Sequence, residues 1–289
     1  MKSIDVAILV SYRFECLNVL LDILKLNFDK KIKTHVFCNL SKGSFEKYRH
    51  FFETDLIDFF HHIPDENCKE GIQVSTGHKQ EVKRKQPLDA LIKTLDIMSS
   101  KEVGEFIYTE CDVFPLSQDS YLSELDSLRE DCVSVRYIEN VKSGKTPFGY
   151  MSPSPIYFSK FSASRFCSFL KDNRDQALDA QISFEGTLGY AAVKLSSEGL
   201  KFRVHSGYHT GNKTYDSNIE PVTLTTHQHN IFNLEKTLSE YGIHNGLWIE
   251  KIRSQNSMQL SWPTVNDCPS GILKKVPGFG IGLMKNVEK

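Results

Sequence analysis

Phe106-Ile107-Tyr108-Thr109-Glu110-Cys111-Asp112-Val113-Phe114 is the stretch on which the reading of this chain turns. An apolar run meets two acids one residue apart, then turns apolar again. Side chains alternate along a strand. A strand ending through these residues brings Glu110 and Asp112 to one point at the sheet edge, with Cys111 on the other face. Carboxylates held in this way can grip Mg²⁺ or Mn²⁺. Such hard cations take one or two protein carboxylates and fill their other positions with water and a substrate diphosphate. The same acidic pair also suits a plain β-turn at a strand end. The sequence on either side favours the first use.

Upstream, strand and helix patterns alternate. Ile4–Val10 is a strand pattern. Leu17, Leu20, Leu21 and Leu24 mark one face of a helix over Leu17–Leu26. Thr34–Cys38 is a second strand, Ser44–Phe52 a short helix, and Leu56–His61 a third, more polar strand. A charged connection, Pro64–Lys85, holds Gly71 and Gly77. Pro87 then stands at the first position of a helix marked by Leu88, Leu91, Ile92, Leu95 and Met98. This alternation predicts an α/β fold with a largely parallel sheet. Ligands of such sheets bind beyond the carboxyl ends of the strands. Ser11-Tyr12-Arg13, Asn39 and Glu110/Asp112 should therefore gather along one edge.

Downstream, Cys132–Ile138 reads as a strand and Val141–Pro147 as a polar loop. Tyr150–Phe158 is an extended segment broken by Pro153 and Pro155. Phe161–Leu170 is a helix, Asp179–Lys194 holds another, Gly199 marks a turn and Lys201–Val204 a strand. Leu234–Tyr241 has a helical pattern. The tail from Pro263, with Pro269, Gly271, Pro277, Gly278, Gly280 and Gly282, reads as loop.

Composition narrows the classes. The formal net charge of -1 offers no basic field to announce nucleic acid or an acidic membrane as partner. No apolar run approaches the length of a membrane span. Met1–Asp5 lacks a signal-peptide layout, and the run Val6–Val10 stops at Ser11. Seven cysteines with no CxxC pair read as reduced thiols, which makes the cytoplasm the expected compartment.

The order of these landmarks resembles the GT-A glycosyltransferases, the nucleotide-diphospho-sugar transferase fold, over about Ile4 to Gly211. In that family the first strand ends where the nucleotide base is met, here Ser11, Tyr12 and Arg13. A basic and amide-bearing segment, Lys79-Gln80 through Lys83-Arg84-Lys85-Gln86, enters the helix before the acidic strand. Glu110-Cys111-Asp112 matches the DxD position with Glu for the first Asp, which keeps the chemistry. Phe148-Gly149-Tyr150 stands at the acceptor-side loop, Glu185 at the catalytic acid on its helix, and His209 at a C-terminal metal ligand. The usual acidic pair on the late helix is here Glu185-Gly186, a single acid, which leaves the stereochemical course open.

The resemblance implies a GT-A-like Rossmann-type mixed sheet with helices on both faces and a C-terminal extension. Residues 1–215 would form the catalytic domain, 1–114 its nucleotide-sugar half and 115–215 its acceptor half. Residues 216–289 would pack on the same domain. The implied reaction moves a sugar from a nucleotide diphosphate, a UDP-sugar in the first instance, to a hydroxyl acceptor such as a carbohydrate. Mn²⁺ or Mg²⁺ would bridge the phosphates as a Lewis acid, with Asp112, the more exposed acid, as direct ligand. Glu110 would act through water or on the ribose, and His209 as a further ligand. His227 and His229 compete with His209, since His-x-His puts both rings on one strand face. Lys83 and Arg84 would pair with the diphosphate, beside Gln86. Glu185 would be the general base that an inverting enzyme needs, with Asp179 its rival.

Phe148, Tyr150 and Tyr157 offer an acceptor platform, and Trp248 and Trp262 further stacking faces. Lys251, Arg253, Lys274, Lys275 and Lys285, with Trp262 and Phe279 interleaved, are compatible with a phosphate backbone. Transfer to hydroxymethylcytosine in DNA, as in some bacterial viruses, is therefore a second reading beside a carbohydrate acceptor. A nucleotidyltransferase or a non-catalytic nucleotide-sugar-binding module are alternatives of another class. Against the first stands the lack of any glycine in Ser11–Asn18, where a triphosphate-cradling loop would lie.

Overall fold

Val6, Ala7, Ile8, Leu9 and Val10 are all buried, so the first strand is covered on both faces rather than one. The computed structural model that shows this describes residues 3–243 except 12–13, 27, 29–30, 67–77, 102, 127, 136–137, 144–145, 180–182, 205–207, 211–212, 215–224, 228–237 and 240–241. The chain runs β1 (Ile4–Val10), α1 (Phe14–Leu26), β2 (Ile32–Cys38), α2 (Lys42–Tyr48), a 3₁₀ turn (Arg49–Phe52), β3 (Phe59–His62), α3 (His78–Ser100), β4 (Glu105–Glu110) and β5 (Val113–Pro115). It continues α4 (Gln118–Asp126), β6 (Cys132–Val135), β7 (Ile138–Ser143), β8 (Thr146–Met151), β9 (Ile156–Ser159), α5 (Lys160–Asp179) and α6 (Phe184–Ser197). Four short strands close the described part: β10 (Lys201–Val204), β11 (Tyr208–Thr210), β12 (Lys213–Thr214) and β13 (Thr225–His227).

The main sheet has seven strands in the order β10-β6-β9-β4-β1-β2-β3. It is mixed, because β9 runs antiparallel to both β4 and β6. β1, β2, β3 and β4 are parallel to their neighbours in that group. Helices cover both faces. Leu17, Leu20, Leu21 and Leu24 of α1 pack with Val6, Ile8 and Val10 on one face. Leu88, Leu91 and Leu95 of α3, with Phe166 of α5 and Leu188 of α6, pack with Ala7, Leu9, Phe106 and Tyr108 on the other. This is the α/β architecture expected from the alternation of elements. β6, β9 and β10 extend the sheet of β1–β4, so residues before and after 114 build one layer. Beyond residue 215, β13 pairs with β5 and with β11, and Leu238 joins the core of the α1 face.

Several element bounds differ from the sequence reading, each for a local reason. Pro87 lies inside α3 rather than at its first position. Leu88 is the first buried leucine of the helix among the described side chains, and the Lys, Gln, Glu and Arg residues before it are good helix formers. Asp89, two residues on, is gripped by Arg174 of α5 at 2.5 and 2.9 Å. Val141–Pro147 is not a loop: β7 and β8 pair as a hairpin from Ile138↔Met151 to Ser143↔Thr146. α5 runs on past Leu170, where Arg174 and the Lys171–Asp96 pair at 2.6 Å tie its polar end to α3. The late helix starts at Phe184, not Asp179, because Ser183 caps it and accepts the Gly186 N–H at 3.0 Å. The five described cysteines, Cys16, Cys38, Cys111, Cys132 and Cys167, are buried thiols in no disulfide.

Candidate active site

The order of strands fixes where a site can lie. From β1 the chain builds outward through β2 to β3, with α1 on one face. It then crosses by α3 on the other face to β4, on the opposite side of β1. Connections that leave neighbouring strands toward opposite faces part their loops and open a crevice at the carboxyl ends. That switch point is between β1 and β4. The register Leu9↔Glu110, Val10↔Cys38 and Cys38↔His62 lines up the strand ends. Main-chain bonds continue past them: Asn39 N–H to Val10 at 3.2 Å, Cys111 N–H to Leu9 at 3.1 Å and Asp65 N–H to Asn39 at 3.1 Å. Ser11, Asn39 and Glu110 thus share one edge, as the sequence predicts. Tyr12 and Arg13 lie outside the described residues.

The acidic pair differs from expectation in one respect. β4 stops at Glu110, and Cys111-Asp112 make the turn into β5. The two carboxylates are therefore not on one strand face. Glu110 is half-buried, whereas Asp112 is only 6% exposed, so it is not the more exposed of the two. The cause is the following strand: Val113 and Phe114 are buried, and they draw the turn inward. Cys111 does face away, packing with Ile107 in the α1-side core. Tyr108, one turn of the pleat before Glu110, is fully buried in the α3-side core, where burial, with the Glu110 charge beside it, holds its phenol well above the usual range.

α3 delivers its amino-terminal half to the same edge. Its carboxyl end leads into the start of β4, so helix and strand run antiparallel. From Ser100 back to Gln86 a helix climbs about 21 Å, and β4 from Glu105 to Glu110 about 17 Å. Half-buried Gln86 is then near the level of Glu110. Lys83 and Arg84 belong to the preceding turn of α3, where the backbone alone is described.

Glu185 is in the first turn of α6, half-buried, on the α3 side of the sheet. Its neighbour Phe184 joins the core that holds Tyr108 and Met151. Asp179, the rival, ends α5. Among the histidines, register separates the candidates. His227 pairs with Val113, the residue after Asp112. His209 lies one strand further out, opposite Thr226. His229, Trp248, Trp262, Lys251, Arg253, Lys274, Lys275, Phe279 and Lys285 lie outside the described residues. Tyr157 cannot serve an acceptor platform: it is fully buried in β9 and donates to the Tyr121 carbonyl at 2.8 Å. Phe148 and Tyr150 are on β8.

Sequence reasoning passed over one group at this edge. Ser154, 1% exposed, bonds Thr109 Oγ1 at 3.0 Å and accepts the Glu110 N–H at 2.9 Å. Its only sequence signal is the Ser-Pro-Ser-Pro run 152–155, which reads as a break in a strand. Among the described residues no three His, Cys, Asp or Glu side chains gather in metal-binding geometry.

Comparisons with known proteins add a likeness of fold. No family model matches the chain, and no curated protein matches it. Solved structures similar to it include a galactosyltransferase, LgtC, in complex with donor and acceptor sugar analogues. That match has 8% identity and a TM-score of 0.46 and covers 86% of this chain and 100% of that one. Another is the apo form of the glycosyltransferase GlyE of Streptococcus pneumoniae TIGR4. It has 13% identity and a TM-score of 0.48, covering 89% of this chain and 64% of that one.

Proposed function

We propose that this protein is a metal-dependent glycosyltransferase that moves a sugar from a nucleotide diphosphate to a hydroxyl acceptor. The observation that carries the reading is the place of Glu110 and Asp112 at the crevice between β1 and β4. A carboxylate at the strand end and another in the turn after it supply the hard oxygen donors that Mg²⁺ or Mn²⁺ takes, and two suffice where water and a diphosphate complete the shell. Either ion, when bound there, supplies a Lewis acid to the leaving diphosphate. Asp112, largely shielded from solvent, is the proposed direct ligand. Glu110, more open, acts through water or on the ribose. The register of β13 favours His227 over His209 as a histidine near the pair.

We assign the remaining roles on the same reading. Ser11, with Tyr12 and Arg13, meets the base at the end of β1. Lys83, Arg84 and Gln86 come from the end of α3 that reaches the same edge and serve the diphosphate. Glu185 opens α6 on the α3 face and is the general base for the acceptor hydroxyl, which is a poor nucleophile unaided.

A thermal-shift screen of UDP, GDP, CMP and their sugars, with and without Mn²⁺, tests this. A ligand at a hundred times its dissociation constant stabilises by about 2.7 kcal/mol, several degrees of melting temperature for a chain of this size. The expected result is a shift for one diphosphate that needs Mn²⁺. A shift indifferent to metal would point to a binding module, and a preference for triphosphates to a nucleotidyltransferase.

A further inference from the structure

The strand that carries the acidic pair loses a partner just where the carboxylates begin. β4 and β9 pair from Glu105↔Ser159 to Tyr108↔Ile156. Continued by one more step of two, that register would set Glu110 opposite Ser154. On β4 the Cys111 N–H turns to β1, where it meets the Leu9 carbonyl. Alternation therefore aims the Glu110 N–H toward β9. The ladder has ended there, and the Ser154 carbonyl instead accepts from Ser152 Oγ at 2.8 Å. The Ser154 hydroxyl takes its place. It accepts the Glu110 N–H at 2.9 Å and bonds Thr109 Oγ1 at 3.0 Å. Ser152 and Ser154 are 0% and 1% exposed, so water does not compete for these bonds.

From this we infer that Ser154 is a positioning residue for the carboxylate pair, its hydroxyl replacing the missing strand partner at Glu110. Held by Ser154 at the Glu110 N–H and by Leu9 at the Cys111 N–H, the backbone that carries Glu110 and Asp112 keeps one orientation before any ligand arrives. That the pair serves a cation and diphosphate rests on the function proposed above. That Ser154 holds Glu110 does not.

Ser154→Ala separates the two. Amide hydrogen exchange should quicken at Glu110 by about tenfold or more, the scale of one lost bond, with Phe106 and Tyr108 unchanged. The Mn²⁺ concentration for half-maximal UDP binding should rise by a similar factor, while metal-free UDP binding stays as it was. Ser154→Thr keeps a hydroxyl and should restore both. Ser162→Ala removes an equally buried hydroxyl at the far end of β9 and should lower the melting temperature without moving either readout. Should the Ala variant not fold, Ser154→Cys, a weak acceptor of similar size, carries the same measurements. Unchanged Glu110 protection in a folded variant overturns the inference. Released Glu110 with unchanged Mn²⁺ dependence overturns its service to the site. A wild-type protein without metal-coupled UDP binding sinks the glycosyltransferase reading and the cation role together, and the exchange result still decides the clamp.

Discussion

At the scale of single residues the chemistry rests on three carboxylates, and each makes a different prediction. Asp112→Asn is close to isosteric, so its buried site is filled as before. It should abolish metal-dependent nucleotide binding while moving the melting temperature little. Calorimetry with and without Mn²⁺ measures this, and intact metal-dependent affinity would remove Asp112 from the ligand set. Glu110→Gln should be milder, because a water-mediated or ribose contact tolerates an amide. Glu185→Gln should leave donor binding near normal and slow turnover by roughly a hundredfold or more, the usual scale for a lost general base. An equal loss of donor affinity would instead place Glu185 in the donor site. The pair Glu110/Asp112 was legible in the sequence as acids after an apolar run. The burial of Asp112 was not, because it depends on where Val113 and Phe114 find their core. Ser154 was hidden for a similar reason: its partner is 44 residues away.

At the scale of elements, buried polar groups tie distant segments together. Glu124 of α4 is 1% exposed, accepts from Ser134 Oγ of β6 at 2.7 Å and meets Arg203 of β10 at 3.3 Å. Glu124→Ala should destabilise by about 2–3 kcal/mol, since it strands a buried donor and opens a void. Glu124→Gln, still an acceptor for Ser134, should cost less. Urea denaturation of both variants checks the order. Pro87 gives a second test. Within α3 its ring removes one helix bond and crowds the preceding turn. Pro87→Ala should therefore stabilise α3, add a slowly exchanging amide at residue 87 and slow exchange at residue 88. A helix that began at Pro87 would gain nothing there. Polar helix formers and a proline leave this question open in the sequence, and the Asp89–Arg174 contact with α5 sits beside the residue concerned.

For the whole molecule, pH probes the outer edge of the sheet. His61 of β3 stacks on Phe37 at 4.5 Å and lies 6.0 Å from the ring of His35, which bonds Asp5 at 2.7 Å. Burial, with the Lys101 charge and His35 nearby, lowers the His61 imidazole to about 4. The unfolded chain takes up a proton near 6.5, whereas the folded one resists until about 4. Stability from this group is thus complete above pH 6.5 and is lost as pH falls toward 4. After discount for its partial exposure the loss is about 1–2 kcal/mol. His61→Phe keeps the stack and removes the titration. Its melting temperature should fall less between pH 6.5 and 4 than that of the wild type, and parallel curves would show that His61 does not carry the effect.

The sequence by itself determined the alternation of strands and helices, the apolar faces of α1 and α3, and the acids at and just beyond the end of β4. These are periodic or local signals, because the backbone repeats at fixed spacing and a strand end needs only its own neighbours. Only the tertiary structure decided that β1 and β4 flank the switch point, that β9 runs antiparallel between β4 and β6, and that β13 sets His227 beside Val113. Each of these joins residues far apart in the chain. Such pairings depend on the long-range burial that pays their entropy of closure, and no local pattern records which partner wins.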